Sequence, residues 1–151
     1  MSSIASLSAA RRVPPAINEP IRSYAPGSPE RAELKARLTS MSTERVEIPL
    51  IIGGKEIRTG KTGQSVMPFK HGHVLAEYHM ASPEHVQQAI AAALKARQEW
   101  AAWPWEDRAA VILKAAELLA TTWKATVNSA TMLGQAKTAF QSEIDAACEL
   151  I

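Results

Sequence analysis

The sequence predicts a mixed chain: an extended leader, a short helix, a few antiparallel strands, and then several amphipathic helices. Three observations lead there. Ser-Pro-Glu occurs twice, at Ser28 and at Ser82, each time in the pattern of a capped helix start. Two strand-like runs flank Gly53-Gly54, the signature of a hairpin with a two-residue turn. Beyond Ser82 the apolar residues recur at helical spacing instead of alternating.

The leader comes first. Residues 1–18 are rich in Ala and Ser, carry Arg11 and Arg12, and contain no acid. That composition weakly resembles a mitochondrial presequence, but it also fits a disordered leader on a bacterial cytoplasmic protein, the preferred reading. Pro14, Pro15, Pro20 and Pro26 then keep the chain extended across some other surface. A helix is expected from Pro29 to about Ser40, with Ser28 as N-cap and Glu30 in the first turn. Its stripe, Leu34 and Leu38, is narrow and needs something to lie on.

Strands follow between Glu47 and Met80. Ile48–Ile52 and Lys55–Arg58 form the expected hairpin, and Pro49 implies an edge position or a strand start. Ser65–Met67 and Val74–Tyr78 are further short strands. The helical remainder opens at Ser82-Pro83-Glu84, with Val86, Ala89, Ile90, Ala93 and Leu94 on one face up to about Trp100. Trp103-Pro104-Trp105 breaks the chain, and a second helix from Glu106-Asp107 aligns Val111, Ile112, Ala115, Leu118, Leu119 and Trp123. A shorter helix runs from Val127 to Leu133, closed by Gly134. A last helix from about Lys137 carries Phe140, Ile144, Ala147 and Ile151 as its stripe. It has no glycine, proline or cationic cluster to end it, so the sequence reads as cut off within that helix.

Bulk properties narrow the function classes. At 151 residues, 46% hydrophobic and 21% charged, the chain has the composition of a folded domain. Seventeen basic and fifteen acidic residues nearly balance, and no Lys/Arg run exceeds two, so no nucleic-acid partner is expected. No apolar run approaches the ~18 residues of a membrane span, so no membrane partner is expected. The single cysteine, Cys148, permits no intrachain disulfide and suits a reducing compartment.

Motifs alone yield no active site. His71-Gly72-His73 could place two zinc ligands on one face, but it has the look of a surface turn and no metal is expected. Cys148 lies beside Ala146 and Ala147 and reads as a buried structural thiol. Glu143, Asp145 and Glu149 share the last helix; the i, i+4 pair Asp145 and Glu149 could perform acid/base work, yet the ordinary reading is a solvated face. Neither Gly53-Gly54 nor Gly134-Gln-Ala-Lys137 has the spacing of a phosphate cradle. The four tryptophans are expected to pack.

Continuous stretches say more. Asn18-Glu-Pro20, Tyr24-Ala-Pro-Gly-Ser-Pro-Glu-Arg31, Met67-Pro-Phe-Lys-His-Gly-His-Val-Leu75, Thr131-Met-Leu-Gly-Gln135 and Gln141-Ser-Glu-Ile-Asp-Ala-Ala-Cys-Glu-Leu-Ile151 resemble the amino-terminal portion of 1-pyrroline-5-carboxylate dehydrogenases. The likeness covers nearly everything from Asn18 onward, in the family's order. It implies the α/β fold of aldehyde dehydrogenases. It also implies an enzyme of proline catabolism that oxidises L-glutamate γ-semialdehyde to glutamate with NAD.

On that resemblance, residues 1–27 are a leader, 28–80 a framework of helix and strands, and 81–151 the helical start of the NAD-binding domain. The nucleophilic cysteine, the NAD-binding residues and the oxyanion donor have no counterpart here, so no catalytic or cofactor-binding residue is assigned. Cys148 is not the nucleophile. Glu149 matches the glutamate near the aldehyde pocket and is the one substrate-pocket candidate. The resemblance further implies a homo-oligomer when complete, in the bacterial cytoplasm or alternatively the mitochondrial matrix. By itself the chain is expected to be inactive and only marginally folded. The alternative is a short non-catalytic module that associates with the full-length enzyme.

Overall fold

The computed structural model describes residues 14–151, so the expectations for Arg11, Arg12 and the rest of residues 1–13 lie outside the described residues. From residue 14 the chain runs without helix or strand until a turn at Pro26-Gly27. Helix α1 (Pro29–Thr43) then begins with the Ser28 hydroxyl accepting from the Arg31 amide. It extends three residues beyond the expected end.

Five strands follow: β1 (Val46–Ile48), β2 (Leu50–Ile52), β3 (Lys55–Ile57), β4 (Thr62–Met67) and β5 (Lys70–His79). The hairpin across Gly53-Gly54 is present as β2 and β3, with both glycines at positive φ, as the tight turn requires. Pro49 is not inside a strand. It separates β1 from β2, which belong to different sheets, because a residue without an N–H interrupts the ladder. The second sheet has the order β1-β5-β4. Its β4–β5 pair is antiparallel, but β1 runs parallel to β5, a pairing that the local sequence does not signal.

His71 and His73 lie on β5, not in a turn; the turn is the preceding Pro68-Phe69. Gly63 is required by packing, since a Cβ there would come 2.5 Å from the ring of Tyr78 on the paired strand.

Helix α2 (Pro83–Ala102) opens with a reciprocal cap between Ser82 and His85, and α3 (Trp105–Ala120) follows the break at Trp103-Pro104. Neither helix buries a single residue. Val86, Ile90, Leu94, Val111 and Ile112 are all exposed, so the predicted apolar faces exist but are uncovered. Helix α4 (Lys124–Gln135) is the centre of the packed part, lying against α1 and β4. Gly134 does not end it. The left-handed cap is Ala136, at φ 58°.

The last segment departs most from expectation. It consists of a single α-helical turn, α5 (Ala139–Ser142), followed by a π-helix (Glu143–Cys148). The wide π turn changes which residues face inward: Ser142, Glu143, Ala146 and Ala147 are buried, whereas Phe140 is 60% exposed. Of the stripe Phe140, Ile144, Ala147, Ile151, which assumed 3.6 residues per turn throughout, Ala147 is buried, Ile144 and Ile151 are half-buried, and Phe140 is turned outward.

Candidate functional site

The largest fully buried side chains among the described residues are Lys124, Glu143, Asn128, Ser129 and Ser142, all of them polar. They come together where the leader, α4 and the π-helix meet. Lys124 and Asn128 are one turn apart on α4 and therefore share a face. Glu143 arrives at the start of the π-helix. The leader contributes Glu19, Arg22 and Tyr24, and Tyr24 sits at φ 51°, a strained value for a residue with a side chain.

Glu143 is the hub. Its carboxylate accepts from the Arg22 amide at 3.0 Å, the Tyr24 hydroxyl at 2.6 Å and the Asn128 amide group at 2.8 Å. The Lys124 ammonium lies 2.9 Å from Glu143 and 2.8 Å from Glu19. Burial pushes the Glu143 carboxyl up, but hydrogen bonds from Tyr24, Lys124, the Arg22 amide and Asn128 outweigh it and hold the group below the usual carboxylate range. Burial likewise works against the Lys124 charge, and its two carboxylate partners reverse the balance, raising its pKa. Tyr24 is raised by burial and by donating to Glu143, so its hydroxyl stays protonated.

Chemically this is a closed ion-pair triad, Glu19–Lys124–Glu143. With every good acceptor position of Glu143 used, the cluster ties three segments together and offers no free base. Glu143 is therefore buried and paired, while Asp145 and Glu149, the two read as a solvated face, are both exposed. Asp145 instead pairs with Lys137 at 2.7 Å and does not couple to Glu149. Glu149 is exposed at the end of the π-helix, and its own amide donates to the Ile144 carbonyl at 3.0 Å.

Cys148 is half-buried, with Sγ 3.9 Å from Glu143 Oε1. Burial and the Glu143 charge push its thiol up, the opposite of what a nucleophile needs. The histidines serve the backbone: His73 Nε2 lies 2.7 Å from the Ser42 carbonyl, and His79 accepts from the Thr59 amide while contacting Glu47 at 2.9 Å. No group of three or more His, Cys, Asp or Glu that could hold a metal occurs among the described residues.

Sequence reasoning missed Lys124, Tyr24, Asn128, Glu19 and Arg22. Contacts spanning 104 to 121 residues have no local signature. One signal was available: Ala146 and Ala147 lie three and four residues after Glu143, a small-residue face that admits close approach around a charge.

The chain belongs to the aldehyde dehydrogenase family, whose model matches residues 57–151. Its relatives are more particular. It is 48% identical over 140 residues to a delta-1-pyrroline-5-carboxylate dehydrogenase of Agaricus bisporus, covering 92% of this chain and 26% of that protein. It is 42% identical over 134 residues to the human mitochondrial enzyme of that name, covering 89% of this chain and 24% of the relative.

Among solved structures, the Mycobacterium tuberculosis enzyme bound with NAD and cobalamin superposes with a TM-score of 0.90 at 42% identity, over 93% of this chain and 27% of the other. The chain thus spans about a quarter of the length of the proteins it resembles. No helix among the described residues is long and apolar enough to cross a membrane.

Gly27, Gly53, Gly54 and Gly134 form no phosphate cradle for a dinucleotide. Gly53 and Gly54 form a hairpin turn, and Gly134 is inside α4. Gly27 precedes α1, whose first turn offers the N–H-less Pro29 and the negative Glu30 to any phosphate.

Proposed function

We propose that the chain forms the amino-terminal portion of an NAD-dependent dehydrogenase that oxidises L-glutamate γ-semialdehyde, the open form of 1-pyrroline-5-carboxylate, to L-glutamate. The observation that carries this reading is an alignment of 92% of the chain with a named 1-pyrroline-5-carboxylate dehydrogenase at 48% identity. Oxidising an aldehyde to an acid takes a nucleophile, a hydride acceptor and an activated water. The raised thiol of Cys148 and the occupied carboxylate of Glu143 supply none of these, so the chain alone is inactive in this proposal.

Residues 28–80 serve as framework and 81–151 as the helical start of the NAD-binding domain, with the leader strapped to that helical part by the triad. Glu149 is a substrate-pocket residue: it is exposed, and a carboxylate suits the ammonium group of an amino-acid aldehyde. The bare faces of α2 and α3 support burial by further protein, within the subunit or in a homo-oligomer. The compartment is the bacterial cytoplasm or, as the mitochondrial relatives support, the mitochondrial matrix.

The test is a graft of residues 14–151 in place of the matching segment of the Agaricus bisporus relative. Expected is NADH production from pyrroline carboxylate, and none from the chain by itself. A folded but inert graft overturns the proposal. The same bare faces would serve a module that binds the full-length enzyme; absence of co-elution with that enzyme in size-exclusion chromatography removes this second reading.

A further inference from the structure

We propose that Glu143 is a positioning residue for Glu149: its buried contacts with Lys124, Tyr24 and Asn128 hold the π turn that sets the helix flank on which Glu149 stands. The proposal rests on the reading of Glu149 as a substrate-pocket residue.

The geometry begins with the turn itself. The Glu149 amide donates to the carbonyl of Ile144, five residues back, so Glu149 closes the π turn with its own backbone. A π turn holds about one residue more than an α turn, which displaces the phase of whatever follows by about 100°. With Glu143 anchored inward, relaxing that turn to α-helix carries Glu149 to another flank. A carboxylate that must meet a ligand group cannot tolerate such a rotation.

The register needs an anchor, and shape does not provide one. The other buried residues of this segment are Ser142, Ala146 and Ala147, all too small to key a helix against α4 by interdigitation. Ser142 bonds only within its own turn, to the Ala139 carbonyl, whereas four donors from two other segments converge on the two oxygens of Glu143. Buried charge clusters are poor sources of stability relative to apolar packing, and their best-attested use is to select one register. A π turn that ends on the pocket candidate, beside a fully buried carboxylate, fits that use.

The test uses the full-length grafted subunit, with KM and kcat measured for pyrroline carboxylate and for succinic semialdehyde, which has no ammonium group. Glu149→Gln should raise KM for the amino-acid substrate at least tenfold and leave succinic semialdehyde within twofold. Glu143→Gln should raise the same KM at least fivefold with the same selectivity. Should that variant not fold, Tyr24→Phe, which removes the 2.6 Å donor and keeps the ring, should raise it about threefold.

If Glu149→Gln leaves KM unchanged, the pocket reading falls and the proposal with it. If Glu149→Gln acts but a folded Glu143 or Tyr24 variant does not, or that variant affects both aldehydes alike, positioning alone is overturned.

Discussion

Replacing Lys124 by Met is the perturbation whose consequence the structure sizes most directly. Lys124 is 1% exposed and Glu143 is 0% exposed, and the ammonium is the only cation in contact with the Glu143 carboxylate among the described residues. Met fills much of the volume, so the loss is electrostatic. Glu143 keeps its three uncharged donors but becomes an unpaired buried charge, and Glu19 loses its partner too. Breaking a buried pair from one side costs about 3–5 kcal/mol.

Complete domains have total stabilities of about 5–15 kcal/mol, so a loss of this size is a large share of whatever a chain with two uncovered helices retains. With a urea slope of about 2 kcal/mol/M, the unfolding midpoint should fall by about 2 M. Equilibrium urea unfolding followed by far-ultraviolet circular dichroism measures it. The double variant Lys124→Met, Glu143→Gln should recover about 2 kcal/mol relative to Lys124→Met, because the orphaned charge is gone. A single variant within about 0.3 M of the parent, or a double variant as weak as the sum of both singles, would refute the reasoning.

Three further outcomes follow from the same contacts. The Glu143 carboxyl is held below its unfolded value, so its contribution is complete above about pH 5 and is lost as pH falls through the folded value. The urea midpoint of the parent should therefore drop more steeply than that of Glu143→Gln between about pH 5 and 2, and parallel curves would contradict this. Ala136→Gly should raise stability by about 1 kcal/mol, because the cap at φ 58° then carries no Cβ; an unchanged or lowered melting temperature would count against the left-handed cap. Amide exchange should be slowest in α4 and β5 and fast along α2 and α3, which bury nothing; equal protection in all four would show a different packing.

Much of the fold was legible because its signals are local. Ser28 and Ser82 start helices by accepting the backbone N–H three residues on, and Gly53-Gly54 turn a hairpin by adopting positive φ. Each effect acts within four residues, so residue type and spacing suffice. Other expected elements moved. Gly134 looked like a helix end, but α4 continues to Gln135 and Ala136 takes the cap. The parallel pairing of β1 with β5 joins residues about thirty apart, across an intervening hairpin.

The candidate site divides the same way. Sequence by itself determined the family resemblance, the order of elements, the apolar faces of α2 and α3, and Glu149 as the pocket candidate. Tertiary structure alone decided that Glu143 is buried and Asp145 is not, because two carboxylates two positions apart on a helix look equivalent until the partners arrive. Those partners are Tyr24 and the Arg22 amide from the leader and Lys124 and Asn128 from α4. Desolvating a carboxylate is unfavourable unless several donors meet it together, and that convergence is a property of the folded chain.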